Sequence, residues 1–348
     1  MRFQHVCLEA LAYVLPEQVV TSLQLEQRLA AVYERFSLRE GRLELMTGIR
    51  ERRFWDVGTL PSDGSVCAGR LAMERCNARP DDIGCLIHAA VSRDCLEPAT
   101  ASTVHEQLGL APATTIFDLS NACLGFLNAM ICLANMIELG QVSKGLIVAS
   151  ESSRPLVETT IATLLNDPTL TRQQLKGAFA SLTIGSGAVA LVMSHDSVSS
   201  TNHRLVGGAV RTATEHNHLC RGSADTGFSG DAAMVMNTDA ETLLVSGCQL
   251  AAETWDVFKE TLDWSNDEVD RCFTHQVGLA HRDLLYESLK LDPAADFSTV
   301  ELLGNVGSVS LPLTMAMGIE KAPPGPGAKI AMLGIGSGLN CTMLGVRW

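Results

Sequence analysis

Short apolar runs alternate with longer helical patterns along most of the chain. Residues 84–90, 115–119, 145–150 and 188–193 read as strands in the first part, and 271–275, 299–303, 329–334 and 341–346 in the second. Each is of strand length and rich in Val, Ile, Leu and Cys. The segments 65–77, 124–139, 239–262 and 279–289 are longer and read as amphipathic or buried helices. Helix 124–139 is apolar nearly throughout, but Asn128, Asn135 and Glu138 interrupt it, which predicts a buried helix and no membrane span. Strands alternating with helices predict an α/β protein whose mixed sheets are covered by helices.

The pattern also repeats. Asp81-Asp82-Ile83 leads into Cys85-Leu86-Ile87, and Asp267-Glu268-Val269 leads into Cys272-Phe273-Thr274. Ser120-Asn121-Ala122-Cys123 opens one apolar helix and Gly304-Asn305-Val306-Gly307 another. Asp82 and Asn121 are 39 residues apart, Asp267 and Asn305 are 38 apart. Ile184-Gly185-Ser186-Gly187 and Ile335-Gly336-Ser337-Gly338 then precede the last strand of each set. Three landmarks in one order point to a duplicated unit, with residues 1–200 and 201–348 as its halves. The stretch from Asn121 to Gly185 is 64 residues and that from Asn305 to Gly336 only 31, so an insertion is expected at about 152–180. Two such halves on a pseudo-two-fold axis give a five-layered α/β/α/β/α core. Pro323-Pro324-Gly325-Pro326-Gly327 is expected to be a turn before the penultimate strand.

Composition narrows the function. A net charge of −13 without a Lys/Arg run leaves no footprint for phosphates, so no nucleic-acid partner is expected. The 11 cysteines are widely spaced, and neither CxxC nor HExxH occurs, so no metal is expected. The N-terminal stretch carries Glu9 and does not read as a secretory signal. Reduced thiols and a cytoplasmic location are therefore expected.

Cys123 is the first chemical candidate. It stands between a strand and an apolar helix, where unpaired N–H groups and the helix dipole favour a thiolate. The alternative is a small buried hydrophobe, the reading for most of the other cysteines. His275 ends an apolar strand, at the sheet edge where α/β proteins place ligands, and is otherwise an ordinary satisfied histidine. Asn305 precedes a helix start and is otherwise a cap. The repeat unites the three, because equivalent strand ends and helix starts converge on one centre. Gly334-Ile335-Gly336-Ser337-Gly338 has too little chain after it for a dinucleotide-binding unit. It fits better as a tight turn presenting a backbone N–H to a substrate oxygen.

Asp118-Leu-Ser-Asn-Ala-Cys123-Leu-Gly-Phe, Thr274-His275-Gln276, Gly304-Asn305-Val-Gly-Ser, Gly334-Ile-Gly-Ser-Gly-Leu-Asn and Thr47-Gly-Ile-Arg-Glu-Arg-Arg53 together resemble the thiolase superfamily, in its ketoacyl synthase III branch. Val91-Ser-Arg-Asp-Cys-Leu-Glu97-Pro-Ala-Thr-Ala-Ser, Thr212-Ala213-Thr214-Glu215 through Cys220-Arg221-Gly222, and Gly-Ser-Gly-Leu-Asn340-Cys341 are similar to the enzymes within it that open head-to-head olefin biosynthesis. The resemblance spans the whole chain and is weakest at residues 223–240.

That resemblance implies an acyltransferase with the thiolase fold. Cys123 would be the acylated nucleophile, His275 and Asn305 would hydrogen-bond thioester oxygens, and the backbone N–H groups of Cys123 and Ser337 would form the oxyanion hole. Glu97 would reach the partner subunit's site in a homodimer. The substrates would be two long-chain fatty acyl-CoAs, joined without decarboxylation into a 2-alkyl-3-oxo acid for downstream pathway enzymes, with no cofactor. The alternative is a 3-oxoacyl synthase III-type condensation with malonyl-carrier protein. Chemistry separates them. Loss of carbon dioxide supplies the carbanion from a malonyl group, whereas two unactivated acyl thioesters need a base at the α-carbon, the role expected of Glu97.

Overall fold

A computed structural model describes residues 1–222 and 236–348. The segment of weakest resemblance, 223–240, lies outside the described residues up to 235. Strand β1 (Val6–Val14) is followed by an arm in which β2 (Gln18–Thr21) pairs with β3 (Glu51–Phe54) around helices α1 (Ser22–Arg28), α2 (Ala30–Arg35) and α3 (Arg42–Thr47). Next come α4 (Pro61–Arg75), β4 (Cys85–His88), α5 (Thr100–Leu108), β5 (Thr115–Asp118), α6 (Gly125–Glu138) and β6 (Lys144–Glu151). Helices α7 (Arg154–Asn166) and α8 (Arg172–Leu182) occupy the stretch read as an insertion, before β7 (Gly187–His195). The chain continues through β8 (His203–Thr212), the short pair β9 (Cys220–Arg221) and β10 (Asn237–Thr238), and α9 (Ala240–Leu262). It ends with β11 (Arg271–Thr274), α10 (Leu279–Leu289), α11 (Val300–Leu303), α12 (Ser310–Lys321), β12 (Lys329–Gly336) and β13 (Asn340–Arg347).

Nine strands form one ladder in the order β11-β12-β13-β8-β1-β7-β6-β4-β5. Its middle is thin: β1 and β8 share only the pairs Cys7–Arg204 and Leu8–His203. On either side the pairing pattern is the same. β4 is parallel to β6, β6 antiparallel to β7, and β7 antiparallel to β1. β11 is parallel to β12, β12 antiparallel to β13, and β13 antiparallel to β8.

The layers follow from which faces are apolar. β6 is buried along nearly its whole length and reads as a continuous apolar run because helices cover both its faces. Phe126, Leu127, Met130 and Leu133 of α6 share a core with Leu311, Leu313 and Met315 of α12 and with inward residues of both sheet parts. These two helices form the middle layer. Val66 and Ala72 of α4, with Val104 of α5, cover one outer face. Trp255 and Phe258 of α9, with Leu285 and Leu289 of α10, cover the other. Burying a large apolar side chain stabilises by roughly 1.5–3 kcal/mol, so the fully buried α6 face anchors the helix that follows Cys123.

One expected strand is corrected. Residues 300–303 form α11 instead, with Thr299 as its cap, because Gln276 Oε1 accepts the N–H groups of Thr299 and Val300 at 2.8 and 2.9 Å. A backbone held by that side chain has no need of a ladder. The second sheet part thus lacks a counterpart of β5, reduced there to the single bridge Cys272–Asp296.

Candidate active site

The corner between β5 and α6 is tight. Ala122 has φ +44°, a left-handed conformation unusual for a residue with a side chain, and it turns the chain just ahead of Cys123. The backbone N–H groups of Cys123 and Ser337 both act on the Cys123 sulfur, favouring its charged form. Ser337 lies in the hairpin between β12 and β13, so the contact joins the two sheet parts. A relay of amides reinforces it: Asn121 Nδ2 donates to Asn128 Oδ1 at 2.6 Å and Asn340 Oδ1 at 3.1 Å, while Asn340 Nδ2 donates to Ser337 O at 2.9 Å. Ser337 Oγ donates to Cys220 Sγ at 3.3 Å, which places a second thiol beside the Cys123 corner.

The charge state differs from the expectation. Cys123 does precede a helix, yet desolvation pushes its thiol up to about 12, with Cys220 and Glu151 adding to the rise. The two N–H groups act in the opposite sense and lose. The N–H groups favour the thiolate as expected of a helix terminus, but desolvation of the half-buried residue acts more strongly the other way.

His275 follows β11, and its N–H donates to Leu333 O at 2.9 Å, one residue before the glycine-rich turn. The imidazole is 3% exposed, and its Nδ1 has no partner among the described residues. Burial, with His281 adding, lowers it to about 3, so it is neutral at physiological pH. His281 is likewise lowered by burial, to about 4. Gln276 pins the chain beyond by donating from Nε2 to Phe297 O at 2.8 Å.

Asn305 is fixed by its backbone and its side chain. Its N–H donates to Thr183 O at 3.0 Å, and its carbonyl accepts from Gly185 N–H at 2.8 Å. Its Oδ1 accepts from Gly307 N–H at 2.9 Å, which orients Nδ2 as the available donor. The crossing is close: a Cβ on Gly304, at φ +66°, would stand 2.4 Å from Thr183 O. Only glycine fits there.

Glu97 belongs to a different loop from these groups. It is exposed at the tip of the loop after β4, whose flanks are tied down by Ser62 N–H to Asp94 Oδ1 at 2.9 Å and by Thr100 and Ala101 N–H to Asp118 at 2.8 Å each. That tip adjoins the exposed edge strand β5. Glu151, which the sequence reading passed over, is buried at the end of β6 between this loop and the turn after Asn305. Its signal was a lone carboxylate closing the apolar run Gly-Leu-Ile-Val-Ala-Ser.

Among the described residues, His5, His195 and Asp196 bring ligand atoms within 4.8 Å of one another. Asp196 is already engaged there by Arg204 at 3.2 Å. Two surface hollows of about 410 and 450 Å³ are lined by residues such as Asp270 and Pro324, and Leu11, Ile319 and Trp348. Neither is lined by Cys123, His275 or Asn305.

Comparison with known proteins places this geometry. Residues 117–212 match the family model of 3-oxoacyl-[acyl-carrier-protein] synthase III, and residues 260–348 that of its C-terminal part. An acyl-CoA:acyl-CoA alkyltransferase of Shewanella oneidensis is 41% identical over 100% of both chains, and one of Xanthomonas campestris is 36% identical over 100% of both. A beta-ketoacyl-[acyl-carrier-protein] synthase III of Campylobacter jejuni is more distant, at 27% identity over 96% of this chain and 94% of its own. The crystal structure of cerulenin-bound Xanthomonas OleA superposes with a TM-score of 0.94 at 36% identity, covering 100% of this chain and 98% of that one. The duplicated mixed-sheet fold, the strand-to-helix cysteine corner and full-length identity together show that the chain belongs to the acyl-CoA:acyl-CoA alkyltransferase (OleA) family, a thiolase-superfamily branch related to ketoacyl synthase III.

Proposed function

We propose that this chain is an acyltransferase that joins two long-chain fatty acyl-CoAs head to head by a non-decarboxylative Claisen condensation. The observation that carries this reading is full-length identity to two acyl-CoA:acyl-CoA alkyltransferases, supported by the N–H groups of Cys123 and Ser337 that act on the Cys123 sulfur. An acyl group on that sulfur has its carbonyl oxygen within reach of both donors, an oxyanion hole built from opposite halves of the molecule. Full-length identity to two alkyltransferases favours acyl-CoA as both donor and acceptor.

In the first half-reaction the neutral Cys123 thiol attacks the thioester carbonyl. Its proton passes by way of the neutral His275 imidazole to the departing CoA sulfur, so acyl-CoA and thiol become acyl-Cys123 and free CoA. In the second, Glu97 of a neighbouring chain takes an α-proton from another acyl-CoA. His275 and the Nδ2 of Asn305 hydrogen-bond the enolate oxygen. The enolate carbon bonds to the acyl carbonyl, the C–S bond to Cys123 breaks, and the thiolate regains the proton held by Glu97. Hydrolysis of the resulting thioester gives the 2-alkyl-3-oxo acid and the second CoA. No cofactor is required.

A homodimer is part of this proposal. β5 is an unpaired sheet edge among the described residues, and Val91, Leu96 and Ile116 beside it are 54, 40 and 36% exposed. Edge strands of that kind invite pairing with a second copy. The cytoplasm is the proposed location, in keeping with 11 free cysteines, and no described helix is long and apolar enough to cross a membrane.

Glu97→Gln tests the division of labour. Acylation of Cys123 by one acyl-CoA should remain measurable by intact-protein mass, while condensation falls by at least ~100-fold. Condensation at the wild-type rate would remove Glu97 from the mechanism.

A further inference from the structure

Glu151 is 6% exposed, and its carboxylate accepts five hydrogen bonds, all from two loops. Oε1 takes the Val91 N–H at 3.0 Å, the Ser308 N–H at 3.3 Å and the Ser308 hydroxyl at 2.7 Å. Oε2 takes the Ser92 N–H at 3.0 Å and the Ser92 hydroxyl at 2.8 Å. The Ser92 oxygen in turn accepts from Ser152 N–H at 3.0 Å, and Trp55 Nε1 donates to the Glu151 carbonyl at 3.0 Å. Gly307 completes the cradle: at φ +57°, a Cβ there would come within 3.1 Å of Oε1. Burying a carboxylate is unfavourable unless its oxygens are well bonded. Here every bond goes to a loop of proposed chemical importance.

Val91 and Ser92 begin the loop that ends at Glu97, and Ser308 lies three residues after Asn305. We infer that Glu151 is a positioning residue for the condensation half-reaction, a single carboxylate that holds the Glu97 loop and the Asn305 turn in register. The inference rests on the proposed function and deepens it, since it assigns the alignment of base and enolate donor to one side chain. Its electrostatic companion is independent of that reading: the Glu151 charge helps keep the Cys123 thiol protonated.

Three variants test it. In Glu151→Gln the amide NH₂ faces donors and releases one loop. Condensation should fall about 100-fold, the scale of an ångström-size misplacement, while Cys123 acylation falls at most about fivefold. Ser308→Ala, a milder change that keeps the fold, should lower condensation by about tenfold, the loss expected of one charge-assisted hydrogen bond. Glu151→Asp keeps the charge and should recover part of the loss. The pH profile of Cys123 alkylation by iodoacetamide gives a readout that a purely structural role would leave unmoved. It should shift to lower pH in Glu151→Gln, because removal of a negative charge favours the thiolate, and should stay in place in Ser308→Ala.

Equal loss of acylation and condensation in both Glu151→Gln and Ser308→Ala, or an unshifted alkylation profile in Glu151→Gln, would overturn the inference. Absence of the 2-alkyl-3-oxo product from the wild-type protein would instead overturn the proposed function, leaving the alkylation result to stand by itself.

Discussion

In the proposed site, Cys123 and His275 both rest uncharged. With the thiol pushed up to about 12 and the imidazole down to about 3, an imidazolium–thiolate pair is disfavoured, and the proton moves only as the carbon–sulfur bond forms. The place of Cys123 was legible in the sequence, since a cysteine between a strand and an apolar helix is a recognisable pattern, and the structure has it just ahead of α6. Its charge state was not, because desolvation depends on what the second half of the chain lays over the corner. The buried imidazoles also have a consequence for stability. His275 and His281 have folded-state pKa values of about 3 and about 4, below the unfolded value near 6.5. As the pH falls below 6.5 the unfolded chain takes up protons that the folded one refuses, so stability is lost on acidification down to the folded values. His275, at 3% exposure, should contribute up to roughly 1.4 kcal/mol per pH unit in that window, and the half-buried His281 less. Urea unfolding between pH 7 and 5 should show this loss, and His281→Gln should have a shallower slope than the wild type. Identical slopes would place His281 in a solvated setting.

At the scale of elements, the long repeating ones were readable and the locally satisfied ones were not. Helices α6, α9 and α10 and strands β4, β5, β6, β7, β11, β12 and β13 lie where the apolar runs put them. The central strands β1 and β8 escaped notice. β1 holds the polar Glu9 inside its run, a residue made tolerable by Ser194 Oγ at 2.8 Å and by Ser200 N–H and Oγ at 2.9 and 2.8 Å, all distant in sequence. Residues 299–303 are apolar enough for a strand, but the side chain of Gln276, after β11, satisfies the N–H groups of Thr299 and Val300. The crossing of the Asn305 turn over residues 183–185 depends on glycine. Gly304→Ala combines a left-handed φ with a collision against Thr183 O, and the expected cost is about 2–3 kcal/mol. A shift in the urea midpoint measures it, and a cost below about 0.5 kcal/mol would show that the two turns separate easily.

For the whole molecule, the duplicated pairing pattern accounts for a proposed site drawn from both ends of the chain. Cys123 arrives from one sheet part, and Ser337, His275 and Asn305 from the other, over a middle layer of α6 and α12. The proposed base, Glu97, is the exception, exposed on a loop beside β5, an unpaired edge among the described residues. A site completed by a neighbour predicts complementation: Cys123→Ala and Glu97→Ala proteins, each inactive alone, should regain up to about a quarter of the wild-type activity when mixed and allowed to exchange subunits. That ceiling follows from random pairing, in which half the dimers carry one intact site of two. No recovery despite subunit exchange would place the base within its own chain.

The central claim concerns carbon. Two acyl chains are joined, and no carbon dioxide drives the step. The most direct measurement supplies the pure protein with a single long-chain acyl-CoA carrying ¹³C at its carbonyl, with no malonyl thioester, and follows free CoA and products by mass spectrometry. The account predicts release of CoA and a 2-alkyl-3-oxo acid retaining both labelled carbons. CoA release and carbon–carbon bond formation that occur only after malonyl-carrier protein is added would contradict it.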